Sequence, residues 1–271
     1  MQITARPADH LSAYLAELHH YRELLFMIVY RDIRVRYKQT VMGFFWAILM
    51  PSMIVLAGIV VRFGMAYATA TPVKTSDLAS VAVRSLPWAF FVSALRFATS
   101  SLVSNEDLVT KIYFPKEIIP LSAVVASSFD SLIAATLLTV VLLFIGTPLT
   151  WCLLWVPFLV LMLFMLVAGI ALIASAASLF FRDVKYLVEV LLTFGIFFTP
   201  VFYKAQTFGA HAKYFMFNPL TPIIEGLDGV IISGVPPDLG WIGYSVALAL
   251  AACFAGYMFF KRLEPLFAEL V

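Results

Sequence analysis

Six long, nearly uninterrupted apolar segments dominate this chain, near residues 41–61, 81–103, 118–145, 152–179, 186–203 and 241–260. A helix needs about 20 residues to cross a hydrocarbon core of about 30 Å, and each segment meets or approaches that length. In lipid the backbone must satisfy its own polar groups, which leaves helices or closed barrels. The runs are continuous and do not alternate, which argues against a barrel. Charged residues make up only 13% of the 271 residues, against about 25% in a soluble domain, too few to cover a water-facing surface. The expected fold class is therefore an all-α integral membrane protein with six transmembrane helices. Pro51, Pro87 and Pro200 are candidate kinks, and Trp88, Trp151, Trp155 and Trp241 fall near segment ends, as an interfacial aromatic belt requires.

The distribution of Lys and Arg orients the chain. With the N-terminus inside, 12 of the 18 cations fall in cytoplasmic segments and four in outer loops. The positive-inside rule then places both termini in the cytoplasm. Residues 1–20 hold Arg6, Asp9, Glu17 and three histidines but no apolar core, so they do not read as a signal peptide. The expected organisation is a cytoplasmic segment and interfacial helix over 1–40, a transmembrane domain over 41–260 and a cytoplasmic tail over 261–271.

The stretch "RDIRVRYKQTVMGFFWAILMP", Arg31 to Pro51, packs Arg31, Arg34, Arg36 and Lys38 against the first apolar segment. Anchoring topology accounts for part of this. The arrangement says more. Leu11, Tyr14, Leu15, Leu18, Tyr21, Leu25 and Ile28 recur at helical spacing. On the same helix Arg31, Arg34 and Lys38 share one stripe, with Val29, Ile33 and Tyr37 roughly opposite. This predicts an amphipathic helix in the inner interface, its cations toward headgroups or water. Gln39, Thr40 and Gly43 would turn the chain into the bilayer.

Catalysis is not indicated. Cys152 and Cys253 belong to no C-x-x-C or Cys/His cluster, the four histidines show no metal or triad spacing, and no G-x-x-x-x-G-K-[ST] is present. If transport uses ATP, another chain must hydrolyse it. Two arginines fall within the second segment. Arg96, about mid-depth, either pairs with a carboxylate, Asp130 or Glu189 being candidates, or lines a wet path for a polar polymer. Arg84 lies near the outer end, where it can snorkel.

The chain resembles the permease subunits of type-2 ABC transporters that export polysaccharides, such as O-antigens and teichoic acids. The residues that carry the resemblance are the Arg31–Pro51 run, "LPWAFF" (86–91), "NEDLVTKIYFPKEIIPLSAV" (105–124), "FFRDVKYLVEVLL" (180–192), "TPVFY" (199–203) and "NPLTPIIEG" (218–226). The resemblance implies a homodimer in a bacterial inner membrane, paired with two copies of a separate ATPase subunit. ATP and magnesium would be bound by that ATPase, so this chain itself carries no cofactor. The substrate implied is a polysaccharide on a polyprenyl-pyrophosphate lipid, with O-antigen, teichoic acid, capsule and drug substrates not firmly separable. No nucleic-acid partner is implied. The loop between helices two and three would be a cytoplasmic coupling helix docked on the ATPase, and short re-entrant helices before helix six would form an outer gate. Without the resemblance, pattern alone leaves a secondary carrier or channel as a level alternative. A membrane enzyme acting on polyprenyl lipids is less well served, because acidic residues at the inner face are dispersed.

Residues follow from these roles. The coupling candidates are Asn105, Leu108, Val109, Lys111, Ile112 and Tyr113, with Asn105 as N-cap and Pro115 ending the helix. The outer-gate candidates are Asn218, Pro219 and Pro222. The basic run would meet the substrate pyrophosphate, which Arg can bind bidentately. Aromatic faces suit the C–H faces of sugars, and the clustered candidates for the path are Phe44, Trp46, Trp88, Phe91, Phe198 and Tyr203, with Arg96 beside them.

Overall fold

A computed structural model of the protein describes residues 21–38, 45–111 and 114–267. Their regular structure is helical. The α-helices are α1 (Arg22–Tyr37), α2 (Phe45–Thr69), α3 (Thr75–Ser101), α4 (Glu106–Lys111), α5 (Ile118–Ile145), α6 (Trp155–Phe180), α7 (Val184–Phe198), α8 (Ala212–Met216), α9 (Leu220–Asp228) and α10 (Leu239–Leu263).

Among the described residues five helices are long and apolar enough to cross a membrane: α2, α3, α5, α6 with the turn before it, and α10. The expected fifth span, 186–203, differs. There α7 has 15 residues, about 22 Å at 1.5 Å per residue, short of a full crossing. It stops at Thr199-Pro200 because proline has no N–H to give and its ring crowds the preceding turn. Pro51 and Pro87, by contrast, are carried inside continuous helices.

The second span starts earlier than the expected residue 81. Thr75, Ser76 and Asp77 look like loop in sequence, yet α3 begins at Thr75. Asp77 holds that start by accepting the Lys74 amide at 3.2 Å and the Arg62 guanidinium at 2.8 Å. The shift places Arg84 well inside the helix rather than near its end.

Burial ranks the helices. In the apolar windows of α3 and α6, 61% and 50% of residues are buried, against 6% in α2 and 11% in α5. The main core therefore forms around α3 and α6 and includes Leu220, Ile223, Ile224 and Leu227 of α9. The tightest helix contact is α6 on α10. A Cβ on Gly169 would lie 2.4 Å from the Ala252 carbonyl carbon, and one on Gly256 would lie 2.3 Å from the Gly169 oxygen. Small residues allow such backbone approach in membranes.

A second core closes one end of the bundle. It joins Ile28 of α1, Leu102, Val109, Phe114, Ile118 and Ile119 to Phe260 and Phe267. Because Arg31, Arg34, Lys111, Lys116 and Lys261 gather here, we call it the basic end. Helix α1 is not detached from the bundle. Asp32 accepts from Ser122 at 3.3 Å, and Arg36 and Tyr37 both bond Asp130, so α1 runs beside the first half of α5 in the same direction. At the other end, residues 199–238 fold as short pieces. Among them α9 enters the bundle, so its backbone is covered by protein, the condition for short helices at membrane depth.

Candidate functional site

A crevice of about 610 Å³ opens between α2, α3 and α5. Its apolar wall includes Trp46, Met50 and Met53, and its polar groups are Arg36, Tyr37, Ser93, Arg96, Asp130 and Ser131. Beside it Arg96 makes a bidentate pair with Glu189 of α7, Nε to Oε2 at 2.9 Å and Nη2 to Oε1 at 2.5 Å. Both side chains are about half exposed, 48% and 47%. An ion pair inside the spans that is half uncovered is poorly placed against lipid tails, since intramembrane charges face the bundle interior or water. The flanking faces of α2 and α7 expose Met53, Leu56, Leu187, Leu191 and Phe194.

The other path candidates separate. Trp46 lines the crevice. Trp88 does not line an open path: it is buried in the main core, stacked on Phe91 at 5.6 Å between centroids. Phe198 is 70% exposed at the end of α7. Tyr203 donates its hydroxyl to the Phe197 carbonyl at 2.7 Å and packs edge-on against Phe208 and Phe215. Phe44, with the turn at Gln39, Thr40 and Gly43, lies outside the described residues, as do residues 1–20.

The basic run is divided among several partners. Arg31 bonds Asp32 and also Asn105, at 2.8 Å each. Arg36 pairs with Asp130 and lies 3.9 Å from the Phe97 ring centroid. Arg34 and Lys38 are exposed and have no side-chain partner among the described residues. On α1 Arg31, Arg34 and Lys38 are exposed and Val29, Ile33 and Tyr37 partly covered, while Phe26, Met27, Tyr30 and Val35 are exposed as well.

The coupling candidates need revision. Helix α4 has six residues, and Ile112 and Tyr113 lie outside the described residues. Val109 is buried in the second core, and Leu108 is partly buried against it. Asn105 is not poised as a simple cap. Its Nδ2 donates to the Ser101 carbonyl at 2.7 Å while its Oδ1 accepts from Arg31. The outward face is instead Val103, Glu106, Asp107, Thr110 and Lys111. Lys111 bonds Asp107 at 2.6 Å, and this holds the Asp107 carboxyl below its ordinary value. Val103 escaped the sequence reading because it sits at the end of an apolar run that reads as membrane.

Behind α4 lies a clamp with no sequence signal. Glu117 is fully buried, and Lys261 Nζ sits 2.9 Å from its Oε1 and 3.1 Å from its Oε2. The closer approach is electrostatic; the Oε2 contact is the directed bond. Lys261 also meets Glu264 at 3.0 Å, and Glu264 accepts the Lys116 amide at 3.2 Å. Burial pushes the Glu117 carboxyl above its ordinary value, opposed by Lys261.

At the far end, Arg84 does not snorkel. It is 1% exposed and meets Glu225 at 3.1 Å and Asp228 at 2.9 Å. The gate candidates stand close by. Asn218 donates to the Thr199 hydroxyl at 3.0 Å and accepts the Leu220 amide at 3.1 Å, closing the turn into α9. Pro219 precedes α9 and Pro222 is buried within it.

Among the described residues, a helical bundle with five helices able to span a membrane, a mostly apolar crevice that carries a few charged side chains, and a short helix folded in at one end is the architecture of a membrane transport component. The chain belongs to the ABC-2 type transporter family, whose model matches residues 23–232. It is 26% identical over 260 residues to the O-antigen export system permease protein RfbA of Myxococcus xanthus, covering 93% of this chain and 97% of the relative. A permease of the same name from Klebsiella pneumoniae is 25% identical over 254 residues, covering 92% and 95%.

Proposed function

We propose that this chain is the permease of an ATP-driven exporter that moves a polysaccharide on a polyprenyl-pyrophosphate lipid across a bacterial inner membrane, O-antigen being the substrate named for its relatives. It works as a homodimer with two separate ATPase subunits. Six segments cross the membrane, the fifth being the short α7 continued by residues 199–203, and the basic end is cytoplasmic. There α1 lies at the interface and α4 meets the ATPase, while residues 199–238 form the outer gate. The observation that carries this reading is the half-exposed Arg96–Glu189 pair beside the crevice. In lipid its exposure would be costly; on a wet path shared with a second copy it is solvated and offers hydrogen bonds to a sugar chain. The polymer slides along many weak contacts, and the phosphates meet the cations at the basic end. Ser93 lines the crevice and tests it. With the native cysteines replaced, Ser93→Cys alone should export normally, and a bulky thiol reagent should stop export while the complex stays assembled. Normal export by the fully modified protein would remove the crevice from the path.

A further inference from the structure

Arg84 is buried where neither lipid nor water explains it. All of its polar contacts lead to one segment. Nη1 donates to the carbonyls of Pro200 at 3.1 Å and Tyr203 at 2.7 Å and to Glu225 Oε1 at 3.1 Å, and Nη2 donates to Asp228 Oδ2 at 2.9 Å. The segment completes the set around it. Glu225 Oε1 also accepts the Ala205 amide at 2.9 Å, Asp228 Oδ1 accepts the Ser80 hydroxyl at 2.5 Å, and Lys204 Nζ stands 3.7 Å from Asp228. Two cations face two carboxylates, so the cluster is neutral.

The Pro200 and Tyr203 carbonyls sit where the chain has left α7 and no helix pairs them. Buried backbone acceptors need donors at membrane depth, and a planar guanidinium can serve several at once where an ammonium cannot. A static contact of this size could be made as well by apolar side chains; buried ionic clusters are best attested where one of two arrangements has to be selected. The other end of α3 supplies the second arrangement's cause. From Ser101 the chain passes through Leu102 and the turn Val103–Asn105 straight into α4. Arg84 is therefore joined to α4 by a continuous helix, about 26 Å along the axis at 1.5 Å per residue.

We propose that Arg84 is the latch of the outer segment, a positioning residue through which α3 holds residues 200–228 closed and carries them when α4 moves. This rests on the reading that residues 199–238 close the path. Helix α9 then follows α3 instead of hinging freely, and the crevice is sealed at rest by a charge cluster rather than by apolar contact alone.

The test is passive potassium efflux from vesicles holding the complete transporter without ATP. Arg84→Met combined with Glu225→Gln and Asp228→Asn removes the cluster without stranding a carboxylate. It should assemble normally and leak roughly tenfold above the native complex, the lower part of the range for coupled equilibria. Arg84→Lys keeps the charge but not the fork and should leak less than the triple variant and more than the native complex. Ile223→Ala with Leu227→Ala loosens α9 through the apolar core instead. If this pair leaks while both Arg84 variants stay sealed, the latch is wrong and the gate stands. If no variant leaks, the gate reading falls and the latch with it. If the triple variant is lost from the membrane, the Lys variant decides: a leak supports the latch, and a seal leaves Arg84 a folding role only.

Discussion

At the scale of single residues, partners decide what each cation of the basic run can do. Arg31 is engaged with Asn105 and Asp32, and Arg36 with Asp130. Arg34 alone among the three arginines is exposed without a partner among the described residues, so its planar fork is available to a pyrophosphate. Arg34→Lys should therefore accumulate lipid-linked polymer inside cells at normal permease levels, because Lys keeps the charge and loses the fork. Normal export by this variant would leave the run an anchoring role. Glu117 and Lys261 make a second case. Lys261→Met strands a buried carboxylate, a change that typically costs about 3–5 kcal/mol. Adding Glu117→Gln should recover most of the lost thermal midpoint in detergent, since burial already disfavours the Glu117 charge. A double variant no more stable than Lys261→Met would refute the pairing. Of these residues the sequence exposed only the charges. For Arg96 the sequence offers Asp130 or Glu189, since both carboxylates lie in apolar segments and need partners; the structure gives Glu189 to Arg96 and Asp130 to Arg36. In sequence Arg84 reads as a helix-end residue, because Thr75 to Ser80 look like loop, whereas the helix begins at Thr75.

At the scale of elements, α4 and the α6–α10 pair make opposite demands. Helix α4 and the turn before it show two faces: Val109 of α4 is turned into the second core, and Val103 of the turn is exposed. Val109→Asp should lower the amount of permease in the membrane. Val103→Asp should leave that amount unchanged and weaken binding of the ATPase subunit, by more than about 1 kcal/mol if Val103 is a buried anchor of that interface. Equal loss of folding in both would deny the helix an outward role. Sequence periodicity found the segment but could not choose its face, since Leu108, Val109 and Val103 are all apolar and six residues give less than two turns. In α10, Gly256 meets the Gly169 carbonyl, whereas Gly243 has open space around it. Gly243→Ala should stabilise slightly, by about 0.5–1 kcal/mol. Gly256→Ala should destabilise by ~1–3 kcal/mol, because the obstruction is backbone and cannot swing aside. Paired thermal melts read both, and a stable Gly256→Ala would show that the two helices can part.

At the scale of the whole molecule, the two ends differ in kind. The basic end gathers α1, α4, the start of α5 and the last turn of α10 around one small core. The far end carries the exposed Trp151 and Tyr214 and the short pieces that surround Arg84. Apolar length made most of the spans legible in sequence, and the Lys and Arg asymmetry predicts their direction. Neither revealed that α7 is cut short, because the run from 186 to 203 stays apolar through the break at Pro200. A chain that exports from the cytoplasm should present its ATPase face and its gate to opposite compartments. With Cys152 and Cys253 replaced, single cysteines at Thr71, Trp151 and Tyr214 should react with an impermeant thiol reagent applied to spheroplasts. Cysteines at Asp107 and Arg182 should react only after the membrane is opened. Both sets lie on exposed positions, so access and not burial decides the result. Labelling of Asp107→Cys from outside would invert the molecule, moving α4 away from any ATP-hydrolysing partner and the Arg84 cluster to the cytoplasmic face. The two sets must then exchange together, since α3 spans the distance between them as one helix.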